Sequence, residues 1–388
     1  MKHIKQYIRF VARCLLVMLT AFSLTGCHDN EPDAPGESES PQSVTLIYAV
    51  AANNLSYYLT LDKQEMMAAA GDIDLYNNVV LVYSVNASNK CKLEKLKFGA
   101  DGSGYFDLVK EYPETPLSTD PERINEVLAE VAKMYPEASK GLVLWSHATA
   151  WKPWFPPLQP RNAKRRSFGQ DVYDGIRYEC NINDLAEAIP ENTFKYIWFD
   201  CCYMGNIETL YQLRNKTEYL IGYPTEMHNE GMPYDLTLPY LAKGTPDLSG
   251  AAQVLFDYYN KQYITVSVAV VKAMALNAVA EAAKPIYQNC GRPQNLYAVN
   301  NYSRLNGFPL YDLKQVLTSY VDVDRDMIDN LDQALDSAIV TSYVSDRSWS
   351  NVFFNHENEC GLSVSDFINN DTTEDLFYMS LDWYTATR

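Results

Sequence analysis

Histidine is scarce in this chain, with five among 388 residues, and positive charge is in deficit: 32 Lys and Arg stand against 49 Asp and Glu, a net charge of −17. Lys2, Lys5, Arg9 and Arg13 fall within the first 26 residues, so the remainder is more acidic still. Such a surface repels phosphate backbones and anionic lipid headgroups, which excludes nucleic acid as a partner unless a basic patch is concentrated somewhere. The sequence also lacks a glycine-rich phosphate loop, an internal repeat and a C-x-x-C pair, so nucleotide-loop, zinc-finger and thioredoxin readings have no basis and no metal site is expected. The N-terminal apolar run, Cys14 to Ser23, falls short of the roughly 20 residues that a spanning helix needs. What is abundant is apolar material, 47% of residues, which excludes a disordered chain or a disulfide-stapled mini-domain.

The basic start, the short apolar run and the residues Leu24, Thr25, Gly26 and Cys27 read together as a bacterial export signal ending in a lipobox. Residues 1–26 are then the signal peptide and Cys27 the lipidated first residue of the mature chain. Residues 27–42, rich in acids, Pro and Ser, form a solvated tether. The expected location is the bacterial envelope, with membrane contact through the lipid at Cys27 and exposure at the cell surface. Cys91, Cys180, Cys201, Cys202, Cys290 and Cys360 remain in the exported part, and their spacing assigns no disulfide pairs.

From Ser43 onward, short β-branched and aromatic runs alternate with helical periodicity. Val44 to Ala51, Asn78 to Val85, Leu142 to Trp145, Tyr196 to Phe199 and Tyr219 to Tyr223 are continuously apolar, which predicts strands buried on both faces. Leu59 to Ala70, Pro121 to Met134, Ile182 to Ile189 and Ile207 to Leu213 read as helices. The alternation predicts an α/β protein, a mostly parallel sheet between helices, over residues 43–230. After Gly231 the pattern shifts to longer helical stretches, Leu248 to Tyr263, Ala275 to Tyr287, Leu310 to Tyr320 and Met327 to Ile339, with one strand at Thr265 to Val271. Residues 231–388 are therefore expected to be a helical and strand extension.

In parallel sheets ligands sit beyond the carboxyl ends of the strands. His147 ends the strand-like run GLVLWS, and YIWFDCC ends with Asp200 and Cys202 two apart, on one face, while Cys201 points to the other. A histidine and a cysteine at neighbouring strand ends suit a cysteine nucleophile, because the thiolate is the attacking species and a base must reach the thiol. The alternative for Asp200 is a carboxylate capping the helix after Gly205.

These residues resemble the clostripain-like cysteine peptidases. LVLWSHATAW is similar to the family's strand and histidine motif, and WFDCCYMGNIE to its D-x-C-x-M-G-x-x-E segment bearing the nucleophile. IYAVAANNL, at Ile47 to Leu55, resembles the family's first strand, and CGLSV, at Cys360 to Val364, its last. The resemblance implies a caspase-like α/β/α sandwich and a Cys/His dyad, with Cys202 as nucleophile and His147 as base and acid. It implies cleavage of proteins or peptides after Arg or Lys, with Asp200 lining the specificity pocket and Glu226 and Glu230 adding negative charge. It also implies maturation by an internal cut, for which the one basic cluster, Arg161, Lys164, Arg165 and Arg166, is the matching site. Calcium dependence occurs in relatives, but no D-x-D-x-D-G loop is present and no other cofactor is expected.

Two departures matter. The family's Gly after the histidine, an oxyanion donor, is Ala148 here, which keeps the N–H but disfavours positive φ. The acid before the Asn-Asn of the first segment is Ala52. The alternative reading is accordingly an inactive peptidase-like lipoprotein that binds peptide or glycan, and a more distant one is a redox pair at Cys201 and Cys202.

Overall fold

A computed structural model describes residues 38, 40–86, 88, 90–152, 167–305, 308–365 and 372–388. The strands in chain order are β1 (Ser43–Val50), β2 (Asn78–Val85), β3 (Cys91–Phe98), β4 (Gly104–Tyr112), β5 (Ser139–Trp145), β6 (Phe168–Tyr173), β7 (Ile176–Cys180), β8 (Phe194–Asp200), β9 (Thr217–Gly222), β10 (Val268–Lys272), β11 (Tyr311–Asp312), β12 (Ile339–Tyr343) and β13 (Ser363–Val364). Nine of them form one sheet in the order β12-β10-β9-β8-β5-β1-β2-β3-β4, while β6 pairs with β7 and β11 with β13. The five continuously apolar runs are the central strands, and β9, β8, β5, β1 and β2 run parallel to their neighbours within that group. Every residue of β1 and β2 is buried, as the absence of alternation requires.

Antiparallel strands complete the sheet at both edges: β3 and β4 beyond β2, and β10 and β12 beyond β9. Residues after Gly231 thus contribute two strands to the same sheet. The hairpin of β3 and β4 was not expected, because CKLEKLKF is dominated by charge. Its Glu94 is buried between Lys63, 2.5 Å away, and Lys92, 2.7 Å away, a pairing across distant segments that local patterning does not reveal.

Helices cover both faces. Those used below are α1 (Ser56–Ala69), α2 (Pro121–Met134), α3 (Ile182–Ala188), α4 (Ile207–Gln212), α5 (Tyr234–Leu241), α6 (Leu248–Asn260), α7 (Leu276–Asn289), α8 (Leu313–Thr318) and α9 (Arg325–Ala338). Val44, Leu46, Tyr48 and Val50 of β1 join a core with α2, α3, α4, α7 and α9. Ile47 and Ala49 point the other way, into a core with α1, α5 and α6. Helix starts follow from local chemistry: Asp120, Asn181, Asn206, Asp247, Asp312 and Asp324 each accept a backbone N–H of the first turn.

One expected helix, Leu310 to Tyr320, begins later than its periodicity suggests. Tyr311 and Asp312 pair with Ser363 and Val364 as strands, and the helix starts at Leu313. Asp312 is the cause. Its Oδ1 accepts from Gln315 N at 3.0 Å, capping α8, while its Oδ2 accepts from Cys360 N, Gly361 N and Tyr302 Oη at 2.9–3.0 Å.

Candidate active site

β5 and β8 are neighbours, and their register sets Trp145 opposite Asp200. His147 and Cys202 each lie two residues past that pair, so both emerge at the carboxyl edge of adjacent parallel strands. Cys201 turns into the opposite core, its thiol donating to Leu144 O at 3.7 Å, as strand alternation requires. Cys201 and Cys202 are both free thiols, so the adjacent pair is not a disulfide.

Cys202 is held by one backbone unit. Met227 N–H donates to Cys202 Sγ at 3.4 Å, and the thiol donates to Met227 O at 3.7 Å. Burial pushes this thiol up to about 12; the Met227 amide pulls it down, and the Glu226 and Asp200 carboxylates push it further up. His147 Nε2 is 2.8 Å from Asn54 Oδ1, and among the described residues no hydrogen bond joins it to Cys202. Burial, followed by the nearby Arg177 cation, lowers the imidazole to about 4. At neutral pH both groups are therefore uncharged in this conformation, and no thiolate–imidazolium pair is formed.

Asp200 is almost fully buried, with 3% exposure. Its Oδ2 accepts from Met232 N at 3.1 Å and Tyr234 Oη at 3.0 Å, while Oδ1 has no partner. Desolvation raises this carboxyl to about 6 against the pull of those two donors. It does not cap the following helix; Asn206 does, through Thr209 N. Glu226 is ion-paired with Arg304 at 2.5 Å, and Trp349 Nε1 donates to Glu226 O at 3.1 Å. Glu230 sits half-buried in the same 226–232 segment, its N–H donating to His228 Nδ1.

The outer motifs hold these strand ends. Asn53 donates to Val50 O and Gln170 O, fixing the turn that presents Asn54 to the imidazole. Ser146 Oγ donates to Val50 O and accepts from Gln170 N, which ties β1, β5 and β6 together. Glu208 accepts from Ser365 N and Oγ, both at 2.9 Å, and Ser363 N donates to Gly205 O, so CGLSV braces the loop after Cys202. Ala148 pairs with Phe168 through bonds from Thr149 N and Gly169 N, which leaves its own amide out of the pairing. The left-handed backbone in this segment falls on Ala150, at φ 56°, and not on Ala148, so the family's glycine is not needed there for its φ.

Gly205 is a different case. A Cβ on it would lie 2.5 Å from Pro224 N and 2.7 Å from Tyr223 C, both backbone atoms that cannot rotate away. Gly205→Ala is expected to destabilise the fold by about 1–3 kcal/mol through this overpacking, measured as a lower urea midpoint at unchanged slope.

Asn54, Met227 and Tyr234 were not foreseen. Only Asn54 left a signal, as part of IYAVAANNL; the others reach the site from remote segments. Arg161, Lys164, Arg165 and Arg166, together with Cys27 and the export signal, lie outside the described residues. Among the described residues no group of three or more His, Cys, Asp or Glu is placed to hold a metal ion, and no helix is long and apolar enough to cross a membrane.

The profile of the Clostripain family matches residues 47–383. A secreted C11 cysteine protease from Bacteroides thetaiotaomicron, solved in complex with an irreversible peptide inhibitor, is 26% identical, with a TM-score of 0.76 over 89% of this chain and 99% of that one. An inactive zymogen C11 protease from Parabacteroides distasonis, 22% identical, shares the fold with a TM-score of 0.77 over 90% of this chain and 99% of that one. No relative of curated function matches the sequence.

Proposed function

Because the chain belongs to the clostripain family and is a cysteine peptidase, we propose that it cleaves proteins or peptides after Arg or Lys through a Cys202/His147 dyad. The observation that carries the reading is the register of β5 and β8, which brings Cys202, His147 and the buried Asp200 to one strand edge. His147 takes the Cys202 thiol proton as sulfur attacks the scissile carbonyl carbon. The Ala148 N–H faces the developing oxyanion. The C–N bond then breaks, His147 delivers the proton to the leaving amine, and a thioester remains on Cys202. Water, deprotonated by His147, attacks that thioester, releases the acid product and restores the thiol. Asp200 supplies the negative charge for the substrate's basic side chain.

The proposed steps use only groups of the chain itself, and calcium enters as a variable of the assay. The relative from Bacteroides thetaiotaomicron is described as secreted, and we extend export to this chain, with anchoring through lipid on Cys27. Loss of palmitate labelling and of the membrane-bound fraction in Cys27→Ser tests the anchor. Self-cleavage at Arg161 to Arg166 matures the enzyme.

The test incubates the full chain with fluorogenic peptides ending in Arg, Lys or Gln, with calcium or with chelator, while its own fragments are mapped by mass spectrometry. Cleavage after Arg or Lys only, with a cut inside 161–166, is the expected outcome. Replacing Arg161, Lys164, Arg165 and Arg166 by Ala should then block both the cut and the rise in activity that follows it. Silence on all three peptides, even after the loop is nicked, favours the binding lipoprotein.

A further inference from the structure

His147 stands between loops that leave the strands on either side of it. In the sheet β5 lies between β8 and β1, with Trp145 opposite Asp200 on one side and Ala49 on the other. Cys202 therefore leaves the strand edge on the β8 side of the histidine, and residues 51–55 leave it on the β1 side. The two nitrogens of an imidazole point in divergent directions, so a ring held between two neighbours can meet one with each.

The two asparagines of the β1 turn are used differently. Asn53 anchors the turn: its Nδ2 donates to Val50 O at 3.1 Å and Gln170 O at 2.6 Å, and its Oδ1 accepts from Leu55 N at 2.7 Å. Asn54 is exposed, and its side chain makes one hydrogen bond among the described residues, with His147 Nε2 at 2.8 Å. The main chain of His147 is fixed by Gly169 N donating to its carbonyl at 3.0 Å. Its ring has no second hydrogen bond among the described residues, so Asn54 sets the rotation of the ring.

The Asn54 atom at 2.8 Å is Oδ1, and an amide oxygen only accepts. Nε2 then carries the hydrogen, and the lone pair of the neutral ring is on Nδ1. The reverse arrangement, with the amide nitrogen donating to Nε2, would put the hydrogen on Nδ1 and leave no nitrogen free to take a proton from the β8 side. An amide also orients the ring without adding charge, which agrees with an imidazole that burial, and then the Arg177 cation of β7, lower to about 4.

We propose that Asn54 is a positioning residue of the site: its amide oxygen holds His147 by Nε2–H and so leaves Nδ1 as the nitrogen that takes the Cys202 proton. The proposal rests on the reading of the protein as a Cys202/His147 peptidase, and it names the working nitrogen and the side chain that presents it. The proton passes from Cys202 Sγ to Nδ1 as sulfur bonds to the scissile carbonyl carbon, and from Nδ1 to the leaving amine as the C–N bond breaks. The Nε2 hydrogen stays on Asn54 throughout.

The first measurement is the tautomer of His147, read by nitrogen NMR of the full chain labelled with 15N-histidine at pH 7, its signals being those lost in His147→Gln. Nε2–H is expected, and Nδ1–H overturns the proposal. Kinetics on peptides carrying Arg or Lys before the scissile bond follow. Asn54→Ala should lower kcat about 10- to 100-fold with KM little changed, the loss usual when the hydrogen-bond partner of a working imidazole is removed. Asn54→Asp keeps an acceptor for Nε2–H, so kcat at its optimum pH should return to within about tenfold of wild type. A carboxylate beside the ring favours the imidazolium, which cannot act as base, so the acid limb of the Asn54→Asp profile should move up by about 1–3 pH units. Equal losses in the two variants with the acid limb unmoved would mark a merely structural residue and overturn the proposal. Asn54→Ala with kcat within about twofold of wild type overturns it as well. A wild type silent on every peptide instead defeats the peptidase reading, and the tautomer alone then decides whether Asn54 positions the ring.

Discussion

Asp200→Asn is expected to make the resting protein more stable and, at the same time, to remove its activity on basic substrates. The buried carboxyl has a pKa of about 6 against an ordinary 3.8, so the folded state holds the proton more tightly than the unfolded chain does. The stability this lends is fully present below about pH 4 and is lost as pH rises through 6. At pH 7.5 the ionised, desolvated group therefore costs about 1–3 kcal/mol, which an amide avoids. Asn keeps an oxygen for Met232 N and Tyr234 Oη, and its NH2 replaces Oδ1 near the Asp62 carboxylate, whose Oδ2 has no partner. Denaturant titrations should show a higher midpoint for the variant at pH 7.5 and a difference that vanishes by pH 4.5. Hydrolysis of Arg and Lys peptides should fall about a hundredfold or more, because the substrate cation is left facing a neutral group. A variant less stable than wild type at pH 7.5 would mean that Asp200 is a structural carboxylate.

Cys202 in the resting protein should be nearly inert to alkylation. A thiol at about 12 is ionised at pH 7 about a thousandfold less than an ordinary cysteine, and the thiolate is the species that reacts. His147, at about 4, is neutral there and brings no positive charge to assist. Iodoacetamide labelling followed by peptide mapping should find Cys202 unmodified while the reagent marks the half-buried Cys290, with a Cys202 rate that rises about tenfold per pH unit. Opening of the site to water, by substrate or by loop cleavage, should restore reactivity, because burial is the main cause that holds the thiol up. Under turnover conditions Cys202→Ala should lose about 10⁴-fold or more in kcat, the loss expected when the nucleophile of an acyl-transfer site is removed. Prompt labelling of the resting chain at pH 7 would show that burial does not hold the thiol protonated in solution.

The ion pair of Glu226 with Arg304 bears on the same resting state. Glu226 was expected as a free acid of the specificity pocket, but its carboxylate is matched by a cation of the chain itself, with Trp349 bonded to its carbonyl.

Much of this is legible in the sequence itself. The central parallel strands could be read because burial on both faces demands uninterrupted apolar residues, and β2 was delimited to the residue as Asn78–Val85. Helix α2 was delimited equally well, since Asp120 and Pro121 mark its start chemically. Cys202 and His147 could be singled out because histidine is scarce and because alternation along YIWFDCC puts Asp200 and Cys202 on one side. Those inferences depend on forces acting over a few residues. Tertiary structure alone decided the rest. The β3 and β4 hairpin needs Lys63 from α1 to pair with Glu94, the imidazole meets Asn54 across 93 residues, and Met227 reaches the thiol across 25. Asp62 lies 138 positions before Asp200 and nears it only because α1 shares one core with β5 and β8. Periodicity and propensity are local quantities, whereas the charge state of Cys202, His147 and Asp200 is set by burial and by partners that folding brings from elsewhere in the chain.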